Sequence, residues 1–197
     1  MHSLRTSTLR WFAPLLLWTA IGAGCAATAD EIKPAPPGQP EAVVFDIDGT
    51  LTPKVLSIYT AREGAAAAVQ AFADAGIKII YLSARIPMLQ GGIRDWLSEN
   101  GFPAGSLQLT EDREDRKDHA AFKERVLKAY KAEGWRFVAA YGDSSTDFEA
   151  YADAGINPQH VFALKREGED SCQPGPWAGC YASWKEQMDI IAGLLQR

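Results

Sequence analysis

The sequence predicts an α/β domain built on a Rossmann-like, doubly wound parallel sheet. Two observations carry that expectation. Short apolar runs without polar–apolar alternation recur along the chain, as strands buried on both faces require. Segments of helical pattern lie between them, and such alternation builds a parallel sheet covered on both sides. The first run is the most informative. Ala42-Val43-Val44-Phe45 leads directly into Asp46-Ile47-Asp48-Gly49-Thr50. Acids at the carboxyl end of a buried parallel strand stand where doubly wound sheets receive their ligands. If the strand continues, residues two apart point the same way, so both carboxylates line one site. One of them could then attack phosphorus while the other exchanges a proton with the leaving group.

Taken in order, residues 1–29 read as a targeting segment. Arg5 and Arg10 precede an apolar stretch over 11–23, and Ala27-Thr28-Ala29 suits a cleavage site. A membrane anchor is one alternative, although the stretch is short for a span. Attachment of a lipid at Cys25 is another. Residues 30–40, with Pro34, Pro36, Pro37, Gly38 and Pro40, read as an extended linker. Residues 41–197 are long enough for one domain with its own core. Strands are expected near 42–47, 77–82, 107–110, 136–141 and 160–164, and helices near 59–75, 88–100, 119–133, 145–154 and 181–195. Alanine enrichment over 61–75 favours helix, and Gly76 is a suitable stop. The last helix puts Tyr181, Trp184, Met188, Ile191 and Leu195 on one face, for which core packing is the expectation. The densely charged residues 111–118 read as a solvated loop.

Charge and cysteines narrow the setting. Without Arg5 and Arg10 the formal net charge goes from −5 to −7, which argues against nucleic acid as a partner. Cleavage after Ala29 leaves Cys172 and Cys180, an even pair suited to a disulfide in an oxidising compartment. The expected location is therefore outside the cytoplasm, in a periplasm or a secreted fluid. No feature of the sequence sets an oligomeric state.

Further residues mark the site. Ser83 closes the run over 77–82, Lys123 lies on a helical pattern, and Gly142-Asp143-Ser144-Ser145-Thr146-Asp147 follows the run over 136–141. An Asp pair, a strand-end serine, a helix lysine and a Gly-Asp-x-x-x-Asp loop, in that order, resemble the four motifs of the haloacid-dehalogenase (HAD) phosphohydrolases. Within that superfamily the chain is most similar to the catalytic domain of the lipins, the Mg²⁺-dependent phosphatidate phosphatases. The similarity runs over residues 42–164 and includes Asp46-Ile47-Asp48-Gly49-Thr50-Leu51-Thr52 and Tyr81-Leu82-Ser83-Ala84-Arg85. It departs from the lipins at Asp143, where they commonly carry Asn, and in the export signal.

The resemblance implies an aspartyl-phosphate mechanism. Asp46 is the expected nucleophile, and Asp48 protonates the leaving oxygen and then activates water. Mg²⁺ is the expected cofactor, with Asp46, the Asp48 carbonyl and Asp143 as ligands. Asp147 supports the metal or Lys123, or caps its helix. Thr50, Ser83 and the Ala84 amide are expected to hold phosphoryl oxygens. Lys123 is the expected bridging cation and Lys117 its rival. Arg85 contacts phosphate or a head group, or forms a structural ion pair. His119 and His160 have no partners at ligand spacing. The short spacers, 34 residues from Asp48 to Ser83 and 39 from Ser83 to Lys123, leave no room for a large cap domain. The expected substrate is a phosphate ester, with phosphatidate at a membrane surface the first reading. A soluble ester and a non-catalytic phosphatidate-binding module are the alternatives.

Overall fold

The computed structural model describes residues 27–196. The expected targeting segment therefore lies outside the described residues, apart from its last three. Six strands form one sheet: β1 Glu41–Asp46, β2 Lys78–Ser83, β3 Ser106–Leu109, β4 Arg136–Gly142, β5 Val161–Leu164 and β6 Gly179–Tyr181. They run in the order β3-β2-β1-β4-β5-β6, with every neighbouring pair parallel. Strand order reverses between β1 and β4, so the tips of these two strands flank the crevice in which such sheets bind ligands. The helices are α1 Ala65–Asp74, α2 Ile93–Glu99, α3 Arg113–Lys117, α4 His119–Ala132, α5 Ser145–Asp153 and α6 Trp184–Leu195.

β1 explains why its sequence shows no alternation. Val43 and Phe45 join a core layer with α1, α2 and α6, whereas Ala42 and Val44 join a second layer with α4 and α5. Both faces are dry, so both sets of side chains are apolar. Side-chain period two puts Asp46 on the same side as Ala42 and Val44, facing α4 and α5. The aromatic centre of the first layer stacks Phe45 on Tyr141 at 5.1 Å, with Trp184 of α6 5.0 Å from Tyr141.

Several boundaries differ from expectation for local physical reasons. The helix expected from 59 begins at Ala65, because Gly64 takes φ 79° and breaks the helical path. The Gly91-Gly92 pair divides the next segment into a short turn at Pro87–Leu89 and α2. The charged stretch 111–118 contains α3, capped by Asp112, whose side chain accepts from the Asp115 amide. On α6, Trp184 and Ile191 are buried as expected, but Met188 is exposed.

Residues 30–36 are not a free linker. The Asp30 amide donates to Leu107 O at 2.8 Å, Arg94 pairs with the Asp30 carboxylate, and the Ala35 amide donates to Glu133 O. Cys172 and Cys180 form a disulfide across the segment that joins β5 to β6. No helix among the described residues is long and apolar enough to cross a membrane.

Candidate active site

Three strand tips and two helices converge on one open cleft of about 310 Å³. Asp46, Asp48, Ala84, Arg85, Lys123, Asp143 and Arg166 line it. Asp46 ends β1 and is buried. Lys123 is the only charged side chain that α4 buries in the core, and its Nζ donates to Asp46 Oδ1 at 2.5 Å. The same ammonium pairs with Asp147 Oδ1. The second oxygen of Asp147 is engaged by the backbone: Oδ2 accepts from the Asp143 and Ser144 amides at 3.1 and 3.0 Å. Ser144 in turn caps α5 by accepting from the Asp147 amide, which closes a capping box.

Burial and the neighbouring Asp147 charge push the Asp46 carboxyl well above the usual carboxylate range, against the pull of Lys123. Asp147 moves the other way: Lys123 and the Ser144 bonds hold it low despite burial. Lys123 itself is buried, yet two carboxylates keep it protonated. Asp46 Oδ2 has no hydrogen-bond partner among the described residues. A buried carboxylate oxygen without a partner costs free energy, so its persistence needs a reason outside the fold.

Asp48 reaches the cleft by another route than the one expected. β1 stops at Asp46, and residues 47–51 turn sharply, with Gly49 at φ 96°. A Cβ at Gly49 would overlap the Asp143 carboxylate, so only glycine lets the backbone pass there. The turn presents Asp48 to β2. Arg85 Nε donates to Asp48 Oδ1 and Ser83 Oγ to Asp48 Oδ2, each at 2.7 Å. Arg85 is thus an ion-pair partner of Asp48, and its Nη2 also donates to Ile58 O at 3.2 Å.

Asp143 stands just past the tip of β4 with its carboxyl pushed up to about 6, chiefly by burial and then by Asp147, while Arg166 opposes the shift. Arg166 pairs with Asp143 Oδ2. Sequence reasoning missed it, although it follows β5 by two residues, a strand-tip position that could have marked it. Arg62 was missed as well. It donates to the carbonyls of Gly49, Lys165 and Ala182, tying the turn after β1 to the ends of β5 and β6.

The structure brings Asp46, Asp48, Ser83, Ala84, Lys123, Asp143 and Asp147 together, and it corrects three assignments. Lys117 is exposed and pairs with Glu114, so it does not enter the cleft. Thr50 is buried, and its hydroxyl points to Asp143 Oδ1 at 3.4 Å instead of the cleft. The Ser83 hydroxyl donates to Asp48 rather than standing free for a phosphoryl oxygen. Asp46, Asp143 and Asp147 place one carboxylate oxygen each within 4.8 Å of one another. This hard-oxygen donor set, with the unpartnered Asp46 Oδ2, fits a divalent cation such as Mg²⁺. Asp46 would hold it through its open Oδ2, and Asp143 in exchange for its Thr50 or Arg166 contact, whereas Asp147 is bound by Lys123 and by two backbone amides. The expected Asp48 ligand is its carbonyl, and its carboxylate is engaged by Ser83 and Arg85.

Residues 43–165 match the family model for the LNS2 domain of PITM 1–3. The chain belongs to the LNS2 family. Membrane-associated phosphatidylinositol transfer protein 1 of Homo sapiens is 30% identical over 131 residues, which cover 64% of this chain and 10% of that protein. Protein retinal degeneration B of Drosophila melanogaster is 29% identical over 140 residues, covering 66% and 10%. The LNS2 chain thus spans about a tenth of the length of these relatives. Among solved structures, a D,D-heptose 1,7-bisphosphate phosphatase from B. bronchiseptica, complexed with magnesium and phosphate, superposes with a TM-score of 0.55. That match has 16% identity and covers 79% of this chain and 98% of the other, so the two proteins share a fold.

Proposed function

We propose that this LNS2 protein is a metal-dependent phosphomonoesterase of the lipin type, acting on phosphatidate through a phosphorylated Asp46. The observation that carries the reading is Asp46 itself. One of its oxygens is held by Lys123, and the other is buried at the cleft floor without a partner among the described residues. A module that only binds phosphate has no use for a carboxylate at that point, because it would repel the ligand.

The chemistry follows from the residues in place. An Asp46 oxygen attacks phosphorus, the bond to the ester oxygen breaks, and Asp48 gives that oxygen a proton. Water then attacks the same phosphorus, its proton passes to Asp48, and the bond to Asp46 breaks. Arg85 and Ser83 hold the Asp48 carboxyl in one orientation through both steps. Lys123 keeps its charge beside the nucleophile throughout. A bound Mg²⁺ would supply positive charge for the non-bridging phosphate oxygens.

We further place the protein outside the cytoplasm, a reading supported by the disulfide and by Arg5, Arg10 and the apolar stretch after them. The function is tested by assaying purified protein on phosphatidate in mixed micelles and on a panel of soluble phosphate esters. Hydrolysis of phosphatidate that stops in chelator, returns with Mg²⁺, and falls by about a thousandfold or more in Asp46→Asn is the expected result. Phosphatidate binding without turnover in the native protein would leave a binding module instead. Faster turnover of a soluble ester would move the substrate away from lipid.

A further inference from the structure

Large exposed apolar side chains are concentrated in one place. Among the described residues six are exposed: Val55, Leu56, Tyr59, Ile86, Met88 and Met188. All but Met188 lie on two loops, residues 53–60 after β1 and residues 86–89 after β2. Leu56 is 88% exposed, Met88 83% and Tyr59 65%, so these side chains are presented to the surroundings rather than packed. Val55, Leu56 and Ile86 also line the cleft whose floor is Asp46. The apolar rim and the floor assigned to the phosphate ester thus share one opening. A ligand that satisfies both has a phosphate head and an apolar body.

We propose that these two loops form a membrane-docking rim, which enters the interface of a bilayer and sets the cleft over a lipid phosphate monoester. The inference rests on the phosphatidate reading and deepens it. Two features argue for a bilayer as the occupant, the composition of the rim and its connection to the site, and net charge sets what they must overcome. The rim has the composition of an interfacial anchor, aliphatic side chains with an aromatic Tyr59 and the exposed Lys54 beside them. The formal charge without Arg5 and Arg10 is −7 rather than −5, so net charge opposes approach to an anionic surface and the apolar rim has to supply the binding. The rim is also hooked to the chemistry. Arg85 bridges Asp48 and Ile58 O, and Thr52 Oγ1 accepts from the Gly49 amide at 2.8 Å while donating to Lys54 O at 2.9 Å. Seating the loops in lipid would therefore steady the turn that carries Asp48.

The test measures cosedimentation of the full mature protein with phosphatidylcholine vesicles that contain or lack phosphatidate. Leu56→Asp/Met88→Asp should lower partition to phosphatidate vesicles by about tenfold or more. The ratio of vesicle phosphatidate hydrolysis to hydrolysis of a soluble phosphate ester should fall with it. Leu56→Phe/Met88→Leu, which keeps the rim apolar, should bind as the native protein does. Met188→Asp, on α6 and outside the rim, should also bind normally. Unchanged partition in the aspartate variant overturns the proposal. So does self-association of the native protein that the aspartate variant abolishes with vesicle binding unaltered, because the rim would then join two copies. Asp46→Asn separates this inference from the catalytic one. It should dock on phosphatidate vesicles at least as well as the native protein, since it removes a charge that repels phosphate, while its turnover is lost, so docking can stand if the phosphatase reading falls, and the reverse.

Discussion

The floor and the rim of the cleft are built on opposite principles. On the floor, Asp46, Lys123, Asp143 and Asp147 are charged and buried, held by ion pairs and backbone bonds that leave Asp46 Oδ2 open. On the rim, apolar side chains stand in the open on surface loops. Each arrangement inverts the ordinary rule for its location, which puts charge outside and apolar surface inside. Inversion at the floor costs stability and concentrates reactivity. Inversion at the rim costs solubility and provides a contact surface. The difference predicts that substitutions of Lys123 and Asp147 on the floor are felt by folding and chemistry together, whereas those on the rim leave folding alone.

The largest effect on stability should come from Lys123→Met. It leaves Asp46 and Asp147 facing each other in a buried space, and urea unfolding should show a loss of about 3–5 kcal/mol. A loss below about 1 kcal/mol would mean that the floor is not held by these two ion pairs, and the comparison with the rim would fail. Reducing the Cys172–Cys180 bond sharpens the contrast from outside the site. The closed loop is short, so the chain-entropy estimate gives about 2–3 kcal/mol. Mass spectrometry of protein from its native compartment should find the bond formed, and two free thiols there would remove the support it gives to export.

A pH series on metal-free protein probes the floor more gently. Asp143 has its carboxyl raised from 3.8 to about 6, so the folded state holds this proton more tightly than the unfolded chain. The stabilisation is complete below the unfolded value and is lost as pH rises through 6. Between these limits Asp143 contributes a melting temperature that increases as pH falls, with Asp46 acting in the same direction. Calorimetry should show this increase, and saturating Mg²⁺ should flatten it, since the ion would take the place of the protons. A flat profile without metal would remove the buried-acid account. The smallest effect belongs to the rim: Met88→Ser should change unfolding free energy by less than about 0.5 kcal/mol, because so exposed a side chain leaves little packing to lose.

The same division decides what could be read from the sequence. Strands β1, β2 and β4 were legible because burial on two faces demands an uninterrupted apolar run, and their tips located Asp46, Ser83 and Asp143. β6 has three residues and no buried run, so it left no periodic trace. The helix over 59–64 failed because Gly64 breaks the helical path and leaves Arg62 to serve three distant carbonyls, a tertiary demand that local alanine propensity does not express. The choice between Lys123 and Lys117 needed α4 in place. Lys117 just precedes and Lys123 lies within the expected helix, six residues apart, but only one side chain is buried against Asp46. The apolar rim lay in loops, where neither periodicity nor motif spacing marks a residue, whereas Arg166 had only its place just past β5 to mark it.

Asp147 gives the site a direction of decay. One carboxylate starts α5, gathers the Asp143 and Ser144 amides, and anchors Lys123. Asp46 contributes a single ion pair and leaves an oxygen idle. When selection for turnover relaxes in a lineage with this fold, Asp46 can drift to a neutral residue at little cost to folding, and Asp147 cannot. On the proposed mechanism, descendants without hydrolysis should therefore still carry the α5 aspartate, preserved by its architectural duty.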